Sequence, residues 1–252
     1  MTLHRFYAGP LPAPGSNVRL PPDEGHHLTR VLRLRRGARV VVFDGQGRQH
    51  EATVADDDPR RPVLQLGAPV AAAPEPVVRM TLGVTVLKGR KLDTVVRDAT
   101  TFGVSDIVPL LTRRTESGGE RRAGGRLGDR WRGVAVGAAK QCGRAVVPVV
   151  HPAVTLPRFL EAAQPCAVRL LLVEPGAATA SATAARMGAL GSDSRPASAA
   201  LAIGPEGGWT TGEIHAAEQA GFRLLTLGRR TLRAETAAVA ALAVLRFAWN
   251  DL

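Results

Sequence analysis

Cysteine is almost missing from this chain: 252 residues contain only Cys142 and Cys166. Two thiols cannot staple a fold with a disulfide framework, so a reducing compartment, the cytoplasm, is the expected location. No group of Cys and His has zinc-ligand spacing. His26 and His27 are neighbours on an expected helix, so their side chains diverge; packing or capping is their expected role, and no metal is expected. Long hydrophobic runs are also lacking. Met1 to Leu11 has no apolar core of signal-peptide length, and the longest apolar stretch, Ala237 to Leu245, meets Arg246 well short of the roughly 20 residues that span a bilayer. A soluble protein with no membrane partner is expected. Acidic residues are few as well, 22 Asp plus Glu against 33 Lys plus Arg, for a net charge of +11. Such an excess suits a phosphate-rich partner, although the abundance of Arg, Ala, Gly and Pro would also suit a high-GC proteome.

The chain is long enough for one large domain or two ordinary ones. Residues 1–70 read mostly as short strands. Ala38 to Phe43 and Gln49 to Val54 flank Asp44-Gly45-Gln46-Gly47, a strong hairpin signal, and one helix interrupts the strands over Asp23 to Arg33. A small β-rich domain follows, with the Ala- and Pro-rich stretch from Ala68 to Pro76 as its linker. Residues 76–252 alternate instead. Apolar runs at Val77 to Leu87, Ile107 to Leu111, Val168 to Val173 and Ala199 to Ile203 read as strands with helices between them, the pattern of an α/β domain with a largely parallel sheet. After Leu87, the residues Leu92, Val95, Val96, Ala99 and Phe102 fall at helical spacing until Gly103 ends the run. The last helix, Glu235 to Trp249, is apolar nearly all round and belongs either in the core or at a subunit interface, with Leu242 and Leu245 as probes of the choice. Glu116 to Arg126 and Ala177 to Ser198 have the composition of loops, the Ala-rich start of the second being compatible with helix. The chain has no internal repeat.

The C-terminal third carries the most chemistry. Ile203-Gly204-Pro205-Glu206-Gly207-Gly208 and Leu227-Gly228-Arg229-Arg230-Thr231-Leu232-Arg233-Ala234-Glu235-Thr236-Ala237 each follow a short apolar strand and precede a helix. In the first loop the glycines permit positive φ and close approach of a ligand, Pro205 stiffens the turn, and Thr210 with Glu213 forms a capping box. Neither loop has the spacing of a dinucleotide or triphosphate fingerprint. One such loop by itself reads as a structural turn. Two around one helix, the second dense in Arg and Glu, read as a ligand site.

These two loops resemble the C-terminal signature of the bacterial methyltransferases that act on N3 of uracil 1498 in 16S ribosomal RNA, members of the SPOUT, or α/β-knot, superfamily. The likeness runs through most of the chain: His4-Arg5-Phe6-Tyr7, His26-His27-Leu28 with Val31-Leu32-Arg33, Lys88-Gly89-Arg90-Lys91, Gly103-Val104, Pro109, Gln141 with Gly143-Arg144, and Pro148. Lys140 stands where the family usually has Glu, and Phe102 where it usually has Leu. The resemblance implies a PUA-like barrel over residues 1–70, a trefoil-knotted methyltransferase domain over 76–252, a homodimer, and S-adenosyl-L-methionine as cofactor. It places the cofactor among Leu172, Val173, Glu174, Ile203, Gly204, Pro205, Glu206, Gly207, Gly208, Leu227, Gly228, Leu232, Arg233, Thr236 and Ala237. Glu206 faces either the ligand or its own loop backbone.

Methylating N3 of uracil requires an unpaired base, loss of the N3 proton and an aligned methyl donor, so positioning is the main task. Arg233 is a candidate to stabilise anionic uracil, and Glu235 to accept a proton or orient Arg233; equally, Glu235 is an ordinary acidic residue at a helix N-terminus. Arg30, Arg33, Arg35 and Arg36, with Arg39 beside them, are candidates to grip RNA phosphate, joined by Lys88, Arg90, Arg114 and Arg144. Arg113 and Lys140 are weaker candidates. The expected partner is 16S ribosomal RNA in the small subunit. Two alternatives remain open, a SPOUT enzyme methylating ribose 2′-hydroxyl groups and a noncatalytic RNA-binding assembly protein.

Overall fold

The structure, a computed structural model, describes residues 3–115, 125–177, 185–186 and 195–252. The two loop-like stretches around 116–126 and 177–198 lie largely outside these residues. The chain forms two compact units, Met1–Glu75 with Val136–Val147, and Pro76–Ala135 with Pro148–Leu252.

In the first unit, β1 (Arg5–Tyr7), β2 (Asn17–Arg19), β3 (Arg39–Phe43), β4 (Gln49–Asp56) and β5 (Val63–Pro69) form one sheet in the order β1-β3-β4-β5-β2. The expected hairpin is β3 and β4, antiparallel, with Phe43 opposite Gln49. The Asp44 carboxylate fixes its turn by accepting from the Gln46 and Arg48 amides at 2.8 and 3.1 Å. Alternate residues Val40, Val42, Ala52 and Val54 point inward and join Phe6, Leu28 and Leu64 in the core. The expected helix over 23–33 is shorter and changes pitch. An α-helical turn, α1 (Pro22–His26), passes into a π-helical turn over His27–Val31, where the Leu32 amide donates to the His27 carbonyl. Arg33 then takes φ 53°, in the left-handed region, and ends it.

The inclusion of Val136–Val147 has no local signal, because its bonds are remote in sequence. Gly47 donates to the Ala145 carbonyl, Val147 to that of Gly45, and the Arg5 guanidinium to that of Arg144. Lys140 puts its ammonium 2.8 Å from both Glu24 oxygens and over the Phe6 ring, so the departure from the family pattern has its own acidic partner.

The second unit holds a parallel sheet. Its strands are β6 (Arg79–Thr85), β7 (Asp106–Leu111), β8 (Val149–Val150), β9 (Val154–Thr155), β10 (Val168–Leu172), β11 (Ala185–Arg186), β12 (Ser198–Ile203) and β13 (Arg223–Thr226). They run in the order β11-β13-β10-β12-β6-β7-β8, with β9 also paired to β7. The central strands are buried on both faces, as their unbroken apolar runs require. On one face, α4 (Leu156–Ala162) and α5 (Thr211–Gln219) bury Phe159, Leu160, Ile214 and Ala217 against Leu110, Leu171 and Ala202. On the other, α2 (Lys91–Thr101) packs on α6 (Ala234–Ala248), which also meets β12. Between them in sequence, α3 (Gly125–Cys142) contributes residues to both units.

Leu242 and Leu245 are fully buried within the chain, so both are core residues and neither reports on an interface. The exposed apolar face of α6 carries Val244 and Phe247 instead, Phe247 being 78% exposed. Because every strand pairing in this sheet is parallel, the loops after β10, β12 and β13 leave from the same edge.

Candidate active site

Those three loops enclose a cavity with about 500 Å³ of empty space, open mouth included, lined by residues 172–175, 203–205, 208–209, 226–227, 230–232, 234 and 237. Ten expected cofactor residues line it: Leu172, Val173, Glu174, Ile203, Gly204, Pro205, Gly208, Leu227, Leu232 and Ala237. Glu206, Gly207, Gly228, Arg233 and Thr236 belong to the same loops but not to the lining. Pro175, Trp209, Thr226, Arg230, Thr231 and Ala234 line it without having been named as cofactor residues.

Trp209 is the most informative addition. Its indole Nε1 donates to the Leu172 carbonyl at 2.8 Å, tying the loop after β12 to the end of β10. The ring lies under Gly204, where a Cβ would come within 2.9 Å of it. Gly208 takes φ 69° beside the Glu174 carboxylate, whereas a Cβ on Gly207 would meet only Arg114 Cδ at 3.5 Å. Gly204 and Gly208 therefore require glycine, and Gly207 does not. An aromatic directly after a glycine turn was the available signal for Trp209. Nearby, the buried Thr85 hydroxyl donates to the Ile203 carbonyl, satisfying the strand end from which the loop departs.

Two further contacts brace the loop. Lys91, at the start of α2, places its ammonium 2.6 Å from Glu206 Oε1, so Glu206 faces a neighbouring helix. Burial by itself would raise the Glu206 carboxyl pKa, but the hydrogen bond from Lys91, backbone bonding and the charges of Lys91 and Lys88 hold it below the ordinary value. Arg114, expected to meet RNA, donates to the carbonyls of Gly207 at 2.5 Å and Trp209 at 3.5 Å. Thr210 and Glu213 form the expected capping box at the head of α5, and the other Glu213 oxygen accepts from the Arg113 amide at 2.9 Å.

Arg233 is the exposed N-cap of α6, and Glu235 lies in its first turn. Glu235 Oε2 is buried and has no hydrogen-bond partner among the described residues. Such an acceptor is costly to leave unmet.

The expected RNA-contacting residues separate into groups. Arg30, Arg33, Arg35 and Arg36 are exposed on the first unit, Arg35 pairing with Asp57 at 3.4 Å. His27 packs edge-on to Phe6, and burial, then the Lys140 charge, lowers its pKa. Lys88 and Arg90 are exposed at the approach to α2. Arg144 is a correction. It is buried, its guanidinium held by Glu75, so it stabilises the first unit and is not presented to phosphate.

Residues 73–246 match the RNA methyltransferase domain family, and residues 20–66 match the RNA methyltransferase PUA domain. Fold and site thus define an RNA methyltransferase, with an N-terminal PUA domain and an α/β-knot, or SPOUT, methyltransferase domain. The ribosomal RNA small subunit methyltransferase E of Synechocystis is 34% identical over 242 residues, spanning 95% of this chain and 76% of that protein. Its counterpart from Mycobacterium tuberculosis is 28% identical over 94% of this chain and 88% of its own. A methyltransferase of Legionella pneumophila with bound cofactor SAM superimposes with a TM-score of 0.88 at 29% identity over 98% of both chains. The small subunit methyltransferase E of Neisseria gonorrhoeae bound to S-adenosyl methionine does so at 0.83, also 29% identical over 98% of both. The chain belongs to the ribosomal RNA small subunit methyltransferase E family.

Proposed function

We propose that this protein methylates N3 of a uridine in 16S ribosomal RNA, at uracil 1498 by family resemblance, from S-adenosylmethionine. On this reading it works in the cytoplasm as a homodimer, with the small ribosomal subunit as its partner. The observation that carries the reading is the cavity between the three loops, in a chain that aligns over 98% of its length with two S-adenosylmethionine-bound structures.

The lining suits that cofactor. Leu172, Leu227, Leu232 and Ala237 offer apolar walls, the loop after β12 offers backbone groups, and Gly204 keeps clear the space that a Cβ would contest with Trp209. When bound, the cofactor supplies an electrophilic methyl on a sulfonium. The residues of the chain then have to hold an unpaired uracil in line and ease departure of its N3 proton. The unmet Glu235 oxygen is the acceptor that fits N3–H, and Arg233, two residues earlier at the exposed helix start, is the cation that fits the uracil oxygens as negative charge develops. Residues 1–70, with Arg30, Arg33, Arg35 and Arg36 exposed, supply phosphate contacts.

Calorimetry of the purified protein with S-adenosylmethionine, joined to nucleoside mass spectrometry of 16S RNA from cells with and without the protein, tests this. Micromolar binding and the disappearance of 3-methyluridine are expected. Loss of a 2′-O-methylated nucleoside would move the target to ribose, and binding of RNA without cofactor would make the protein a noncatalytic assembly factor.

A further inference from the structure

Lys91, a cation that does not line the cavity, touches the cofactor loop at Glu206. Its ammonium is 2.6 Å from Glu206 Oε1, while Pro205 and Gly208 on either side of Glu206 line the cavity. The loop has other fastenings, Trp209 to the Leu172 carbonyl and Arg114 to the Gly207 carbonyl, but both hold its second half. Among the described residues Lys91 is the side chain that bonds Glu206, in a turn that Pro205 stiffens and that the Gly208 amide closes by donating to the Pro205 carbonyl at 2.9 Å.

The Lys91 pKa is raised above the ordinary value first by the hydrogen bond to Glu206, with burial opposing; the charges of Glu206 and Glu235 raise it further, and that of Arg233 lowers it. Lys91 belongs to the segment Lys88-Gly89-Arg90-Lys91 that leads into α2.

We infer that Lys91 is a positioning residue for cofactor binding: through its ion pair with Glu206 it sets the loop after β12 in the geometry that receives S-adenosylmethionine. Lys91 is not among the residues that line the cavity. This inference rests on the cofactor site proposed above. Both partners are partly exposed, with side chains 35% and 42% accessible, so the effect belongs in the range of surface ion pairs and not of buried ones.

The test is a double-mutant cycle read by calorimetric titration of S-adenosylmethionine into the full-length protein. Lys91→Met and Glu206→Gln are each expected to weaken binding about three- to fivefold, the double variant no more than either single one, and Lys91→Arg to bind nearly as the parent does. Affinity of the parent is expected to fall more steeply between low and high salt than that of Lys91→Met, because only the parent has the pair to screen. Melting temperatures of all variants close to the parent's would locate the effect in binding. Parent-like affinity of Lys91→Met, losses that simply add, or equal salt slopes would overturn the assignment. A parent that does not bind S-adenosylmethionine would instead remove the cofactor site itself, and the inference with it.

Discussion

Arg246 and Asp251 form a fully desolvated ion pair, 2.5 Å between Nη1 and Oδ2, in which Asp251 also accepts from the amides of Val77 and Val78. Arg246 further donates to the carbonyls of Val78, Phe102 and Gly103. One salt bridge thus joins the end of α6, the entry to β6 and the end of α2. Replacing Asp251 by Ala removes a partner from a buried guanidinium and strands two amides. A loss of about 3–5 kcal/mol is expected, read as a lower urea midpoint with an unchanged slope.

The glycines of the cofactor loop are not equivalent. Gly204→Ala would force a Cβ within 2.9 Å of the Trp209 indole, an overpacking that costs about 1–3 kcal/mol and is expected to weaken S-adenosylmethionine binding roughly tenfold or more. A Cβ at Gly207 would make only ordinary contact with Arg114, 3.5 Å to Cδ, so Gly207→Ala is expected to change affinity by less than about twofold. The two variants are compared by calorimetric titration.

For the proposed homodimer, Phe247 is the discriminating position, since it is 78% exposed on α6 while Leu242 and Leu245 are core. Phe247→Glu is expected to yield a folded monomer by light scattering with its melting temperature little changed, because the charge faces solvent in the single chain and opposes desolvation only at a contact. A parent protein that is monomeric at working concentration with full specific activity would take the dimer out of the mechanism.

Arg33 and Arg36 are exposed on the first unit. If each neutralises one phosphate, Arg33→Ala combined with Arg36→Ala lowers the slope of log affinity against log salt by about 1.4–1.8, without altering cofactor binding. Filter binding of ribosomal RNA across a salt series measures this.

The Lys91–Glu206 pair also has a defined pH range. The Glu206 carboxyl sits below its ordinary value of 4.5, so its contribution is fully present above that pH and is lost as pH falls through the folded value. Lys91 sits above its ordinary 10.5, so its contribution is lost only as pH rises beyond that. The pair is therefore expected to impose no pH dependence on cofactor affinity between about pH 6 and 9. Titrations at these two limits should agree once the ionisation of the cofactor itself is subtracted.

What could be read in advance followed the reach of each interaction. The α/β alternation, the hairpin at Asp44 and the Thr210–Glu213 box depend on residues a few positions apart, and the structure has them all. The cavity was legible as two loops because glycine turns after apolar strands are local features. Its Trp209 floor was missed, since a buried tryptophan shows its purpose only beside Gly204 and Leu172. Arg144 and Arg114 have the chemistry of phosphate ligands; only the fold shows that Glu75 and the Gly207 carbonyl engage them. Leu242 and Leu245 illustrate the same limit, because apolarity on a helix does not say which apolar surface will cover it.

Glu213 spends one carboxylate oxygen on Thr210, at the head of its own helix, and the other on the Arg113 amide in the segment after β7. Helix initiation and the lie of a separate loop are thereby written into one side chain. Evolution cannot tune them apart at this position: a replacement that improved the helix start by another route would still surrender the distant amide. A search for more heat-tolerant forms of the protein should therefore find position 213 unusually unforgiving for its partly exposed location, and its rare tolerated changes should come with compensating ones near Arg113.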